Sequence, residues 1–273
     1  MDFFICTTCG TQFAQSKAPP AQCRVCEEER QYVPPGGQSW TTRAALNAKH
    51  ANIFREYLPG IIGIGTEPGF AIGQRAILLQ TKHGNVLWDC IANLDAATVT
   101  LIKGLGGIKA IALSHPHFYT TMTDWAQAFD VPVYVHAADR DWISRPDPAI
   151  QLWDNETKEL LAGVTLVRCG GHFPGGTVLH WRDGAEGRGI LCTGDVVTVA
   201  VDRKFVSFMR SYPNLIPLSE PEVAHIGDAL EPLAFDQIYG HYFDRVIKHG
   251  AKDVLRASVK RYIEAIRGER VYQ

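Results

Sequence analysis

The sequence predicts a layered α/β protein with a small metal-binding segment at its N-terminus. Three observations lead there. Short β-like runs interleave with helical patterns from about residue 60 onward, and strands outnumber helices in the first half. Two Cys-x-x-Cys pairs fall within the first 40 of the 273 residues. Interleaved strands and amphipathic helices bury their apolar faces by stacking in layers, while periodicity alone leaves the strand order open.

Bulk composition narrows the class. The chain is 46% hydrophobic and 21% charged, with a formal net charge of −2, the balance of an ordinary globular protein. No basic excess or stripe is visible, so no nucleic-acid partner is expected. No run approaches 18 apolar residues, so no membrane association is expected. The start, Met1-Asp2-Phe3-Phe4-Ile5-Cys6, lacks the basic and apolar regions of an export signal. Cys-x-x-Cys pairs without such a signal suit metal ligands in a reducing cytoplasm better than disulfides.

Along the chain, residues 1–40 read as a zinc knuckle ending at Pro34-Pro35-Gly36-Gly37, a rigid connector, and residues 41–273 as the main domain. Residues 75–82 and 85–90 are two strands joined at His83-Gly84. Residues 94–103 form a helix stopped by Gly104, and 108–113 a buried strand that Pro116 cuts short. Phe118, Met122, Trp125 and Phe129 then share one helix face. Asp124 lies off that face, as a solvated surface acid would. Strands are expected at 131–135, 164–167, 177–181, 189–192 and 235–239, and helices at 137–143, 221–230 and 254–266.

Cys6-Thr7-Thr8-Cys9-Gly10 and Cys23-Arg24-Val25-Cys26 are separated by thirteen residues. Two such turns present four thiolates to one tetrahedral zinc. The segment has too little apolar mass for its own core, so a structural zinc supplies folding free energy. Four thiolates close the site to chemistry, and its role is packing, dimerisation or partner docking. A redox dithiol needs only one of the pairs.

Elsewhere, four segments each place a ligand-type residue just after an expected strand: Ser114-His115-Pro116-His117, Gly170-Gly171-His172, Thr193-Gly194-Asp195 and Tyr239-Gly240-His241. Taken singly, each His reads as an ordinary side chain, as do His50, His83, His180 and His249. Together, imidazole and carboxylate are the donors favoured by zinc and iron.

On these residues the chain resembles the metallo-β-lactamase superfamily, whose signature runs His-x-His-x-Asp-His, Gly-His, Gly-Asp and a final Gly-His. The resemblance covers about residue 60 to the C-terminus. It implies a four-layer αββα metallo-β-lactamase sandwich, here preceded by the zinc-ribbon-like segment. It also implies metal ligation by His115, His117, His172, Asp195 and His241, with Asp89 supporting the site. Where the family has Asp-His, this chain has Tyr119-Thr120. Those positions help hold a second metal, so a mononuclear site follows.

The implied function is a metallo-hydrolase with zinc at the active site, acting on a small ester, thioester or lactone. Asp195 orients hydroxide or ligates, His241 protonates the leaving group, and Tyr119 serves as acid, oxyanion donor, metal ligand or packing residue. Arg210 and Tyr212, in the loop before His241, are candidate substrate-binding residues. The alternatives are a single-iron dioxygenase acting on a thiol or persulfide, with His115, His172 and Asp195 as ligands, and a degenerate binding protein. Cys169 and Cys192 read as buried and inert.

Overall fold

The computed structural model describes residues 1–269. Contacts divide the chain into two compact units, Met1–Trp153 and Asp154 onward, and residues 1–40 group with the first. The expected mixed α/β character holds in both. No helix among the described residues is long and apolar enough to cross a membrane.

In the first unit, β1 (Ile5–Cys6) pairs antiparallel with β2 (Trp40–Thr41), so the N-terminal segment closes on itself. Gly37 donates to the Pro34 carbonyl at 2.8 Å, making the Pro/Gly cluster a turn rather than a free linker. After α1 (Arg43–Asn47) comes a seven-stranded sheet. Its strands are β3 (Ala51–Leu58), β4 (Ile61–Glu67), β5 (Ala76–Thr81), β6 (Gly84–Trp88), β7 (Ala110–Ala112), β8 (Val133–His136) and β9 (Ile150–Trp153), in that spatial order. Pairing is antiparallel through β6 and parallel from β6 to β9.

The helices of this unit are α2 (Ala96–Gly104) and α3 (Met122–Phe129). Asp95 caps α2, its carboxylate accepting from Thr98 N–H at 2.7 Å. Asp130, with a left-handed backbone, ends α3. Ile102, Met122 and Trp125 from the two helices pack with Ile64, Leu78, Leu87, Ile111 and Val133 of the sheet in one apolar cluster. Residues 137–143, expected as a short helix, form a 3-10 helix, Ala137–Trp142.

The second unit carries β10 (Thr157–Leu161), β11 (Val164–Arg168), β12 (Thr177–Trp181), a single turn α4 (Gly184–Gly187) and β13 (Ile190–Gly194). Two small pairs follow, β14 (Thr198–Val199) with β15 (Val206–Ser207), and β16 (Met209–Ser211) with β17 (Ile216–Pro217). The chain ends with α5 (Glu220–Leu230), β18 (Gln237–Gly240), β19 (Val246–Ile247) and α6 (Ala251–Ile266). The six-stranded sheet runs β10-β11-β12-β13-β18-β19, with β13 and β18 parallel. Helix α5 starts on a capping signal: Ser219 N–H donates to the Glu222 carboxylate at 2.9 Å, with Pro221 in the first turn. Val223, Ile226 and Leu255 of α5 and α6 pack with Val178, Leu191 and Ile238 of the sheet.

Candidate metal centres

The four N-terminal cysteines converge. Cys6, Cys9, Cys23 and Cys26 are all buried, with their sulfurs within 4.8 Å of one another. Cys6 Sγ lies 3.7 Å from Cys26 Sγ, and Cys9 Sγ 3.5 Å from Cys23 Sγ. Those separations are far beyond a disulfide's and close to the edge of about 3.8 Å that four thiolates make around zinc at about 2.3 Å. Mutual hydrogen bonding pulls the Cys6 thiol well down and pushes Cys9 well up. Four sulfurs so arranged could hold one tetrahedral cation. Gly10 takes φ 82° just after the first pair and donates to the Cys6 carbonyl, the turn that Cys-x-x-Cys-Gly anticipates. Phe13, Val33, Trp40 and Trp142 pack around the sulfurs.

In the first unit, the ends of two parallel strands build the His115–His117 loop. Trp88 of β6 and Ala112 of β7 are register partners. The chain just beyond them is tied across by Asp89, whose Oδ1 accepts from Ser114 N–H at 2.7 Å. Pro116 then opens a 3-10 turn, Pro116–Phe118; His115 precedes it and His117 lies within it, with ring centroids 5.0 Å apart. Ser114 Oγ lies 2.8 Å from His115 Nδ1, which makes Nε2 the candidate ligand atom. Asp89 thus acts on the His115 loop through the backbone.

Tyr119 belongs to the apolar cluster of this unit. Burial, reinforced by Asp139 and Asp89, pushes its phenol well above the usual range, so the hydroxyl stays protonated. Thr120 is buried with φ 30°. Asp124 corrects the sequence reading: it is buried rather than solvated. Arg145 donates to its Oδ1 at 2.5 Å and Gln12 Nε2 to its Oδ2 at 3.0 Å, with Arg43 3.7 Å away. The sequence missed this because the partners lie outside the helix, and a helical wheel sees only α3.

In the second unit, register again explains convergence. Gly194 of β13 and Gly240 of β18 are partners in the parallel ladder, so the next residues, Asp195 and His241, emerge side by side. His241 Nδ1 is 2.7 Å from Asp195 Oδ1. His172 follows Gly170 and Gly171, both at positive φ, and its Nε2 lies 3.8 Å from Asp195 Oδ2. Gly171 sits at φ 75°, which favours glycine, and a Cβ there would also press on the Leu218 and Ile226 side chains at 2.8 and 2.9 Å. The Met209 carbonyl, 2.9 Å from His172 Nδ1, accepts from it and makes Nε2 the candidate ligand atom.

Tyr212 donates to the Asp195 carbonyl at 2.9 Å, its ring 5.7 Å from that of His172 and 6.3 Å from that of His241. Arg210 lies half-buried on β16, next to Met209. Cys192 is buried in its strand, and burial pushes the buried Cys169 thiol to about 12. His180 sits in β12, with Nε2 2.8 Å from the Ala234 carbonyl. Ser114, Gln12 and Arg145 were not anticipated. Ser114 could have been flagged by adjacency to His115, whereas Gln12 lies more than a hundred residues from its partners and left no local signal.

No family model matches the chain. It is 49% identical over 271 residues, 98% of each chain, to YmaE of Bacillus subtilis (strain 168), itself an uncharacterized protein. Among solved structures, VMB-1 is 13% identical with a TM-score of 0.58, the match covering 79% of this chain and 98% of that one. A motif mutant of a metallo-β-lactamase from Cronobacter sakazakii is 17% identical with a TM-score of 0.52, over 81% and 96% of the two chains. The chain therefore belongs to the family of YmaE and is built on the metallo-β-lactamase fold, with a four-cysteine cluster at its N-terminus.

Proposed function

We propose that the protein is a metal-dependent hydrolase in which His115, His117, His172 and Asp195 hold a single ion. The observation that carries this reading is the preset orientation of the imidazoles. Ser114 engages His115 through Nδ1 and the Met209 carbonyl engages His172 through Nδ1, so both rings offer Nε2, as metal-binding histidines commonly do. The donor set fits. His172 Nε2 and Asp195 Oδ2, 3.8 Å apart, suit two ligands sharing an ion at about 2.0–2.2 Å each.

Support for one ion rather than two comes from the Tyr119–Asp124 stretch. The Tyr119 phenol stays protonated in an apolar cluster, and the Asp124 carboxylate is taken by Arg145 and Gln12. Neither offers an anionic donor. A bound zinc would supply a Lewis acid and bring water toward ionisation near pH 7. His241 Nδ1 lies 2.7 Å from Asp195 Oδ1 and hydrogen-bonds the Gly194 carbonyl at 3.3 Å, which leaves Nε2 to pass a proton to a leaving group. Tyr212 buttresses Asp195 and, with Arg210, is the proposed wall for a small ester, thioester or lactone.

The N-terminal cluster is the proposed site of a structural zinc. Its thiols, none of them in a disulfide, fit a reducing compartment, and the cytoplasm is the proposed location.

The test is elemental analysis of protein purified without added metal, beside the His172→Ala variant. The expected result is zinc at both sites, with the variant losing one ion together with hydrolysis of ester, thioester and lactone substrates. Survival of both ions in the variant would overturn the ligand set. Iron in place of the second zinc would favour an oxygenase, read by oxygen consumption with thiol and persulfide substrates.

A further inference from the structure

We propose that the four-cysteine segment positions the histidine loop of the first unit, and that Gln12 is the positioning residue through which it acts. The proposal rests on reading His115 and His117 as metal ligands. It makes the N-terminal segment part of the apparatus that holds the active-site ion, beyond stabilising the chain.

Thr120, a β-branched residue three residues past His117, is held at φ 30°. Such a backbone is strained and persists only where its surroundings over-determine it. Here they do so from two sides. Gln12 N–H donates to the Thr120 carbonyl at 3.0 Å. Thr121 Oγ1 donates to the Ile91 and Ala92 carbonyls at 3.2 and 3.1 Å. The backbone of Gly10 passes so close that a Cβ there would lie 3.3 Å from Thr120 Cγ2 and 3.2 Å from Ala92 Cβ. The cysteine turn and the strained loop are therefore in direct contact.

The Gln12 side chain adds a second grip. Its Nε2 donates to Asp124 Oδ2 at 3.0 Å, and its Oε1 accepts from Arg145, which also donates to Asp124 Oδ1. Gln12, Asp124 and Arg145 are 3%, 6% and 7% exposed, so water cannot replace these bonds. Arg145 in turn lies 3.7 Å over the Phe3 ring. The Cys6 N–H bond to the Thr11 carbonyl, 3.0 Å, fixes the residue just before Gln12 within the cysteine turn. Order in the cysteine turn thus reaches the stretch running from His115 to Asp124 through one buried amide.

Gln12→Met tests this. Methionine keeps the length and burial of glutamine and removes both side-chain hydrogen bonds. The probe is zinc, and the readout is its dissociation constant at the histidine site by chelator competition. The expected result is a retained ion at the cysteines and zinc binding at the histidine site weakened by about tenfold or more, the scale for losing contacts that orient metal ligands. Saturating zinc should then restore turnover. A merely structural role would lower the unfolding midpoint and leave the constant within about twofold of wild type, which would overturn the proposal. If the methionine variant fails to fold, Gln12→Asn carries the same readout, because its shorter amide cannot span Asp124 and Arg145 together. Wild-type protein holding only the cysteine-bound ion would sink the metal-site reading, and this proposal with it. Wild type with both ions and an insensitive Gln12→Met would sink this proposal alone.

Discussion

The molecule contains two kinds of buried ligand set, and they are built differently. The cysteine set is local: its four sulfurs come from Cys6 to Cys26, and few apolar side chains surround them. The histidine and aspartate residues are distributed, each one or a few residues past a strand or turn in a sheet with its own apolar core. Hydrogen bonds with Ser114, Tyr212 and the Met209 carbonyl hold them in place. In the first set, an ion would serve as a folding element, since few apolar side chains pack around the sulfurs. In the second, the sheets preset the donors, and an ion would serve as a reagent.

The largest effect should come from breaking the local set. Cys9→Ser removes one thiolate from a site whose zinc counterparts in finger peptides bind with about 10–16 kcal/mol. Docking on the first unit retains part of the order, so a loss on the order of 5 kcal/mol is expected, lowering the unfolding midpoint by roughly 10–20 °C. An unchanged midpoint in a metal-free cluster would erase the contrast. Arg145→Met comes next. It leaves the Asp124 carboxylate buried, with the Gln12 hydrogen bond and half-exposed Arg43, 3.7 Å away, in compensation. Breaking a buried pair costs about 3–5 kcal/mol, and Arg43 should hold the loss near the lower end, about 3 kcal/mol in urea unfolding. Both variants act on residues 1–40, so the double variant should lose less than the sum. Strict additivity would mean that metal binding and docking of the segment are independent.

The two sets also differ in how they could be read from sequence. Spacing sufficed for the cysteines, because a Cys-x-x-Cys turn carries its geometry within four residues. The histidines needed their context of strand ends: Thr177–Trp181 was bounded as observed, and the parallel register at Gly194 and Gly240 made neighbours of Asp195 and His241. Strand β3 went unassigned because its residues alternate between half-buried and exposed, without the apolar run that marked β5 and β6. Asp124 was misread for a related reason. Its helix places it off the apolar stripe, and the charge that satisfies it arrives from Arg145, beyond any helical period. Periodicity reports burial against apolar neighbours and is silent about buried ion pairs.

Tyr212→Phe should produce the smallest effect and sharpens the comparison from the other side. Burial, with the Asp195 carboxylate adding to it, holds this phenol well above its usual range, so its hydroxyl remains a donor to the Asp195 carbonyl at any physiological pH. Removing it forfeits one neutral hydrogen bond, worth about 0.5–1.5 kcal/mol net. The ring remains to pack beside His172 and His241. If the distributed set is over-determined by its sheet, stability should fall by about 1 kcal/mol, and metal content should stay unchanged. Loss of the histidine-site ion in this variant, read by elemental analysis, would mean that Asp195 depends on a single hydroxyl. The distributed set would then be no better preorganised than the cysteines, and the ion there would be shaping the protein as well as reacting.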